Sequence, residues 1–118
     1  YIEQRQAFGR PLADFQGLTF PLAELETYVE AARQLCYKTL WLKSAGKPHT
    51  KEAAMCKWWA PKVAFETVHQ CLLAHGHAGY SRELPFEQRL RDVMGLQIGD
   101  GTAEIMKLII VRQNRRLE

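Results

Sequence analysis

The chain has 118 residues, 47% hydrophobic and 25% charged, and its sixteen basic against thirteen acidic side chains leave a net charge of +3. Such values fit one globular domain and exclude both a disordered segment and a second independent core. No apolar run approaches the roughly 20 residues that cross a bilayer, and the basic residues are scattered except for Arg112, Arg115 and Arg116. Neither membrane insertion nor nucleic-acid binding is therefore expected.

Residues 1–6 read as the last turns of a helix begun earlier, which predicts a piece of a longer polypeptide. Over residues 16–45, Leu18, Leu22, Leu25, Val29, Ala32, Cys36 and Leu40 recur at alternating spacings of four and three, the stripe of one long amphipathic helix. Pro21 is tolerated only near a first turn, so this helix is expected to start close to Thr19 or Phe20 or to be irregular before that. Gly46-Lys47-Pro48 stops it. Thr50 is placed to cap a second helix carrying Cys56, Trp59, Val63, Thr67 and Cys71 on one face. Pro61 is expected to kink that helix without dividing it.

The glycine-rich stretch from His75 to Glu83 reads as loop. Pro85 then opens a short helix with Phe86, Leu90 and Val93, and a last helix carries Ile105, Leu108 and Ile109. Strand patterns are absent, so the fold expected is all-α, an antiparallel up-down helical bundle. Cys36, Cys56 and Cys71 are odd in number and sit in apolar periodic segments, as reduced core thiols do. His69, Cys71, His75 and His77 match no common zinc spacing. Trp41, Trp58 and Trp59, at helical spacing, read as core or interface residues.

The segment most suggestive of chemistry is Gly99-Asp100-Gly101-Thr102. Two glycines permit a bent backbone and close approach of a ligand, and Thr102 is a good N-cap for the following helix. Asp100 is either a turn residue or a working carboxylate held at a helix entrance.

Four motifs in order, Gln4-Arg5-Gln6-Ala7-Phe8-Gly9-Arg10-Pro11-Leu12 with Phe15-Gln16, Gly76-His77-Ala78-Gly79-Tyr80, Leu90-Arg91-Asp92, and Gln97-Ile98-Gly99-Asp100-Gly101-Thr102, resemble the C-terminal helical domain of the acyl-CoA dehydrogenases. The resemblance runs the length of the chain. It implies that residues 1–118 are one domain of a larger flavoenzyme whose N-terminal helical and β domains are not in this sequence. The implied reaction removes a proton from the α carbon of an acyl-CoA thioester and passes hydride from the β carbon to FAD. Electrons then leave to an electron-transfer flavoprotein. It further implies a homo-oligomer, dimer or tetramer, in the bacterial cytoplasm or the mitochondrial matrix.

Carried over residue by residue, the resemblance makes Asp100 the catalytic base and puts Gly101 beside the bound thioester. It assigns Arg5, Gln6, Ala7, Phe8 and Gln16 to the FAD of a neighbouring subunit, with Leu73, Ala74, His75, Gly76 and His77 near the adenosine half. Thr102 and Glu104 fall to the FAD of their own subunit. Two departures stand out: the family's usual base is Glu rather than Asp, and His77 replaces the second of two adjacent glycines. Asp stands at the base position in a superfamily branch that oxidises nitroalkanes, whereas some acyl-CoA dehydrogenases carry the base on an upstream helix; both remain open. Arg91 and Asp92 are expected to form an ion pair bracing the Asp100 turn. A rival reading is a helical oligomerisation module without activity. By itself the chain is expected to be colourless, oligomeric and unable to turn over substrate.

Overall fold

Helix α1 runs from Gln16 to Ser44 and begins three residues before the start expected from Pro21. A proline at the sixth helical position deprives only the Gly17 carbonyl of a partner, and Gly17 is exposed, so water can satisfy it. The other end closes as the glycine predicts: Gly46 has φ +65, its N–H donates to the Lys43 carbonyl, and the Lys47 N–H donates to that of Leu42. This is a Schellman closure.

Helix α2, Thr50–Ala74, passes through Pro61 as one continuous element and returns antiparallel along α1. His49, not Thr50, occupies its N-cap, without a side-chain capping bond. The register is fixed by Lys38 against Glu52 at 3.8 Å and the Thr39 hydroxyl 3.3 Å from Cys56 Sγ. Small buried residues, Ala32 on α1 and Ala54 on α2, belong to the core of this layer.

The computed structural model, which describes residues 1–115, adds two elements absent from the sequence reading. Residues 1–5 hold a turn instead of the end of a helix, leading into a hairpin of β1 (Gln6–Ala7) and β2 (Arg10–Pro11). Phe8 at φ +53 and Gly9 at φ +80 make its two-residue turn. Both angles are the left-handed kind that primed hairpin turns require, and Asn-Gly is their usual sequence signal. Phe-Gly hides it. A short 3₁₀ turn at Leu12–Asp14 then leads into α1.

The second addition is α3, Gly76–Tyr80, in place of the expected loop. Gly79 is buried against α2, where a Cβ would collide with the Leu72 carbonyl oxygen, so the absence of a side chain lets this turn pack. Helix α4 (Phe86–Ile98) starts one residue after Pro85, and α5 (Ala103–Arg115) completes an all-α bundle in which α2 is the central element, touching α1, α3, α4 and α5. Arg116, Leu117 and Glu118 lie outside the described residues. No helix among the described residues is long and apolar enough to cross a membrane.

The buried apolar set is small: Ala32, Ala54, Val63, Ala74, Phe86 and Met106. Large side chains stay exposed, among them Phe20, Tyr37, Leu40, Trp41 and Ile98. Trp58 and Trp59 line an apolar groove of about 640 Å³ with Leu35, Met55, Ile110 and Val111, whereas Trp41 lies on the surface beneath Lys47. The three cysteines are free thiols, and burial together with contact from Cys56 pushes the Cys36 thiol up.

Candidate functional site

Two groups of candidate residues emerge, one at each end of α2. The first is a cleft of about 410 Å³ whose lining includes Arg5, Ala7, Phe8, Leu73, Ala74, His75, Gly76 and His77. Segments nearly 70 positions apart in the chain thus meet, with Leu12, Phe15 and Leu18 lining the cleft between them. The hairpin is tied down by the Leu12 N–H donating to the Arg5 carbonyl at 2.8 Å and that of Ala13 to Ile2 at 3.0 Å.

His75 anchors the other wall. Its ring stacks on Tyr1 with centroids 4.8 Å apart, meets Phe86 at 4.7 Å on a tilted contact, and its Nδ1 lies 2.7 Å from the Cys71 carbonyl oxygen. That bond to the carbonyl fixes the Nδ1–H tautomer, because a carbonyl only accepts. Beside it Gly76 has φ +55 and open space where a side chain would stand, so its backbone can be approached closely.

Two properties of this cleft are chemically useful. Arg5 is exposed and has no carboxylate partner among the described residues, which leaves its guanidinium able to take an anion in bidentate fashion. Phe8 is 95% exposed on a left-handed backbone, so a large apolar ring is held out into solvent on a conformation costing roughly 1 kcal/mol or more. Gln6 and Gln16 fall outside the cleft. Gln16 belongs to an adjoining hollow with Arg10, Asp14 and Phe15, and the Arg10 guanidinium lies 4.1 Å from the Phe15 ring centroid.

The second group surrounds the α4–α5 turn. Gly99 is extended, Asp100 has φ +55 and Gly101 φ +108, so the chain reverses over two left-handed residues. Asp and Asn tolerate that region better than other side chains. Asp100 is exposed; Gly101 is half-buried over Met106, whose Cε would stand 2.6 Å from a Cβ added there. The Thr102 carbonyl accepts the first backbone bond of α5, from Met106 at 3.1 Å, as expected of an N-cap. Glu104 lies in the first turn of α5, where the helix dipole favours a negative charge.

The expected brace is different. Arg91 and Asp92 are exposed and do not pair with each other, since successive helical residues project about 100° apart. Lys57 of α2 takes their place: its Nζ donates to the Leu96 carbonyl at 2.5 Å and to that of Gly101 at 3.3 Å. Nothing in the sequence pattern flags a lysine whose partners are backbone oxygens.

A family model described as the acyl-CoA dehydrogenase C-terminal domain matches residues 1–114. The chain belongs to the acyl-CoA dehydrogenase family. It is 41% identical over 113 residues to the probable acyl-CoA dehydrogenase YngJ of Bacillus subtilis, covering 96% of this chain and 30% of that protein. It superposes on butyryl-CoA dehydrogenase from Megasphaera elsdenii with a TM-score of 0.91 and 37% identity, covering 100% of this chain and 30% of that one. A structure reported for the electron transferring flavoprotein of Acidaminococcus fermentans matches with a TM-score of 0.93 and 37% identity, over 98% of this chain and 30% of that one. This acyl-CoA dehydrogenase domain therefore spans under a third of the length of those relatives. Along α2, its two residue groups lie about 25 Å apart, counting from Lys57 to Ala74 at 1.5 Å per residue.

Proposed function

We propose that this domain serves an FAD-dependent acyl-CoA dehydrogenase, supplying one flavin half-site at each end of α2 and the base that takes the substrate's α proton. The observation that carries the reading is the convergence of Arg5, Ala7 and Phe8 with Leu73, Ala74, His75, Gly76 and His77 in one cleft. Arg5 there offers an unpaired cation to a pyrophosphate, Phe8 an exposed ring to a planar partner, and Gly76 an unobstructed backbone. These are the features that a dinucleotide needs.

The two groups, at different ends of α2, serve two different flavins, as the family resemblance implies. The hairpin cleft reaches the flavin of a neighbouring subunit, with Gln6 and Gln16 at its margin, and Thr102 and Glu104 serve the flavin of their own. An oligomer, dimer or tetramer, follows from that division. FAD, when bound, supplies the hydride acceptor. Asp100 takes the α proton, and Gly101 leaves the thioester room to lie beside that carboxylate. Asp100 is exposed in this chain, so the dry surroundings that strengthen a carboxylate base come from parts of the enzyme outside it. Electrons pass on to an electron-transfer flavoprotein, a partner supported by the likeness to the Acidaminococcus structure.

The test is anaerobic mixing of the full-length flavoprotein with acyl-CoA thioesters of graded chain length. Bleaching of the flavin absorbance is expected, with re-oxidation by an electron-transfer flavoprotein. Oxidation of nitroalkanes without any reaction toward thioesters would assign the domain to the nitroalkane-oxidising branch instead, and an active 118-residue chain by itself would refute the shared-site reading. The exposed Phe20, Tyr37, Leu40 and Trp41 favour a second contribution, to assembly of subunits, which light scattering reads directly.

A further inference from the structure

The Asp100 turn is unusual in what it must hold. Its backbone has two consecutive left-handed residues, one of them carrying a side chain, and it follows directly on the C-terminus of α4. Strain of that kind persists only when neighbouring groups over-determine it. Within the turn itself little does so: the Gly99 N–H reaches the Gly95 carbonyl at 2.9 Å, and the Leu96 carbonyl is the one that would receive the Asp100 N–H if α4 ran on.

Lys57 occupies that role from a different helix. Its ammonium bonds the Leu96 carbonyl on the entry side of the turn and the Gly101 carbonyl on the exit side, bracketing Asp100 between two points of attachment. A cation at the C-terminus of α4 is also where the helix dipole favours one. Lys57 is half-buried and has no carboxylate partner among the described residues, so its charge is directed at these two oxygens. Lys57 stands on α2, the central helix of the bundle, so the turn is referenced to the most constrained element of the fold.

We infer that Lys57 is the positioning residue for the Asp100 carboxylate, holding the α4–α5 turn in its left-handed form through the Leu96 and Gly101 carbonyls. This rests on the proposed role of Asp100 as base, and the two can fail separately. Lys57 itself touches neither substrate nor flavin and moves no proton.

The experiment uses the flavin-loaded full-length enzyme and the substitutions Lys57→Met, Lys57→Arg and Asp100→Asn, with the Met and Asn changes also combined. Lys57→Met is expected to slow flavin reduction by acyl-CoA about 10- to 100-fold, the penalty of a carboxylate misplaced by about 1 Å, while the half-saturating substrate concentration moves less than about 3-fold. Arg, which keeps the charge and can still reach a carbonyl, should recover part of the rate. In the Asp100→Asn background the Met change should add nearly nothing. Amide exchange at Gly99, held on the Gly95 carbonyl, and at Met106, held on the Thr102 carbonyl, should quicken at least about 10-fold in Lys57→Met, with exchange in α1 unchanged.

Unchanged exchange in that turn overturns the positioning role whatever the rates do. An equal slowing by Lys57→Met with and without the Asp100 side chain also overturns it, because the lysine would then act through something else. If Asp100→Asn reduces flavin at the wild-type rate while exchange in Lys57→Met quickens, the base assignment is what fails and the turn-holding role of Lys57 stands.

Discussion

The hairpin cleft and the Asp100 turn make opposite use of the same bundle. The cleft is a long-range product: a short hairpin, the end of α2 and a five-residue helix meet across it, joined by the aromatic contacts of His75 with Tyr1 and Phe86. The turn is local, the four residues 99–102 between two helices, and depends on tertiary structure at a single point, Lys57. The difference teaches that the cleft proposed for flavin is assembled by packing, whereas the Asp100 carboxylate, the proposed base, is held by backbone conformation. Damage to the first should appear as lost affinity, and damage to the second as lost rate.

The sharpest way to break that comparison is Asp100→Asn in the full-length enzyme. Removing a general base costs roughly 100- to 10,000-fold in rate, so stopped-flow flavin reduction should fall by at least about 100-fold, with flavin content unaltered. Retention of rate within about 3-fold would move the base to another residue. Next in size is Arg5→Ala, which removes a charge-assisted contact of about 1.5–3 kcal/mol. Titration of the apo-enzyme with FAD should show about 10- to 100-fold weaker binding, with normal reduction kinetics once the flavin is saturating. A rate defect at saturation would mean that the cleft aims as well as binds.

Gly79→Ala tests the packing side of the comparison. The added methyl meets the Leu72 backbone oxygen, which cannot step aside as a flexible side chain would, so a destabilisation of about 1–3 kcal/mol is expected by denaturant titration. The smallest effect is expected from Phe8→Asn. Asparagine accepts the φ of +53 more readily and completes the usual hairpin pair with Gly9, so stability should rise by up to about 1 kcal/mol while FAD affinity falls. A variant that gained stability at no cost in affinity would remove Phe8 from the flavin surface.

How much of this was legible in the sequence depends on the physical range of each signal. The four long helices follow from apolar spacings of three and four, and the Gly46 stop follows from a conformation that only glycine adopts cheaply. Boundaries shifted where two local rules competed: Pro21 argued for a late start of α1, but one lost hydrogen bond at an exposed carbonyl was the smaller term. The hairpin was invisible because Phe8 is a poor residue for its turn, and α3 because glycine-rich sequence reads as loop unless the packing of Gly79 on Leu72 is known. The family resemblance located Arg5, His75 and Asp100. Only coordinates joined Arg5 to His75, replaced the Arg91–Asp92 brace with Lys57, and set Gln6 and Gln16 to one side.

The continuity of α2 through Pro61 has a consequence for how this domain can vary. It works as a ruler between the hairpin cleft and the Asp100 turn, and a ruler with helical symmetry has only coarse settings. Deleting one residue between Lys57 and Ala74 would shorten it by about 1.5 Å but also swing one end through about 100° relative to the other, misaligning the cleft and the turn far more than the shortening alone. Length changes should therefore be confined to the joint around Gly46 and Pro48, where extra residues leave the spacing of the cleft and the turn intact.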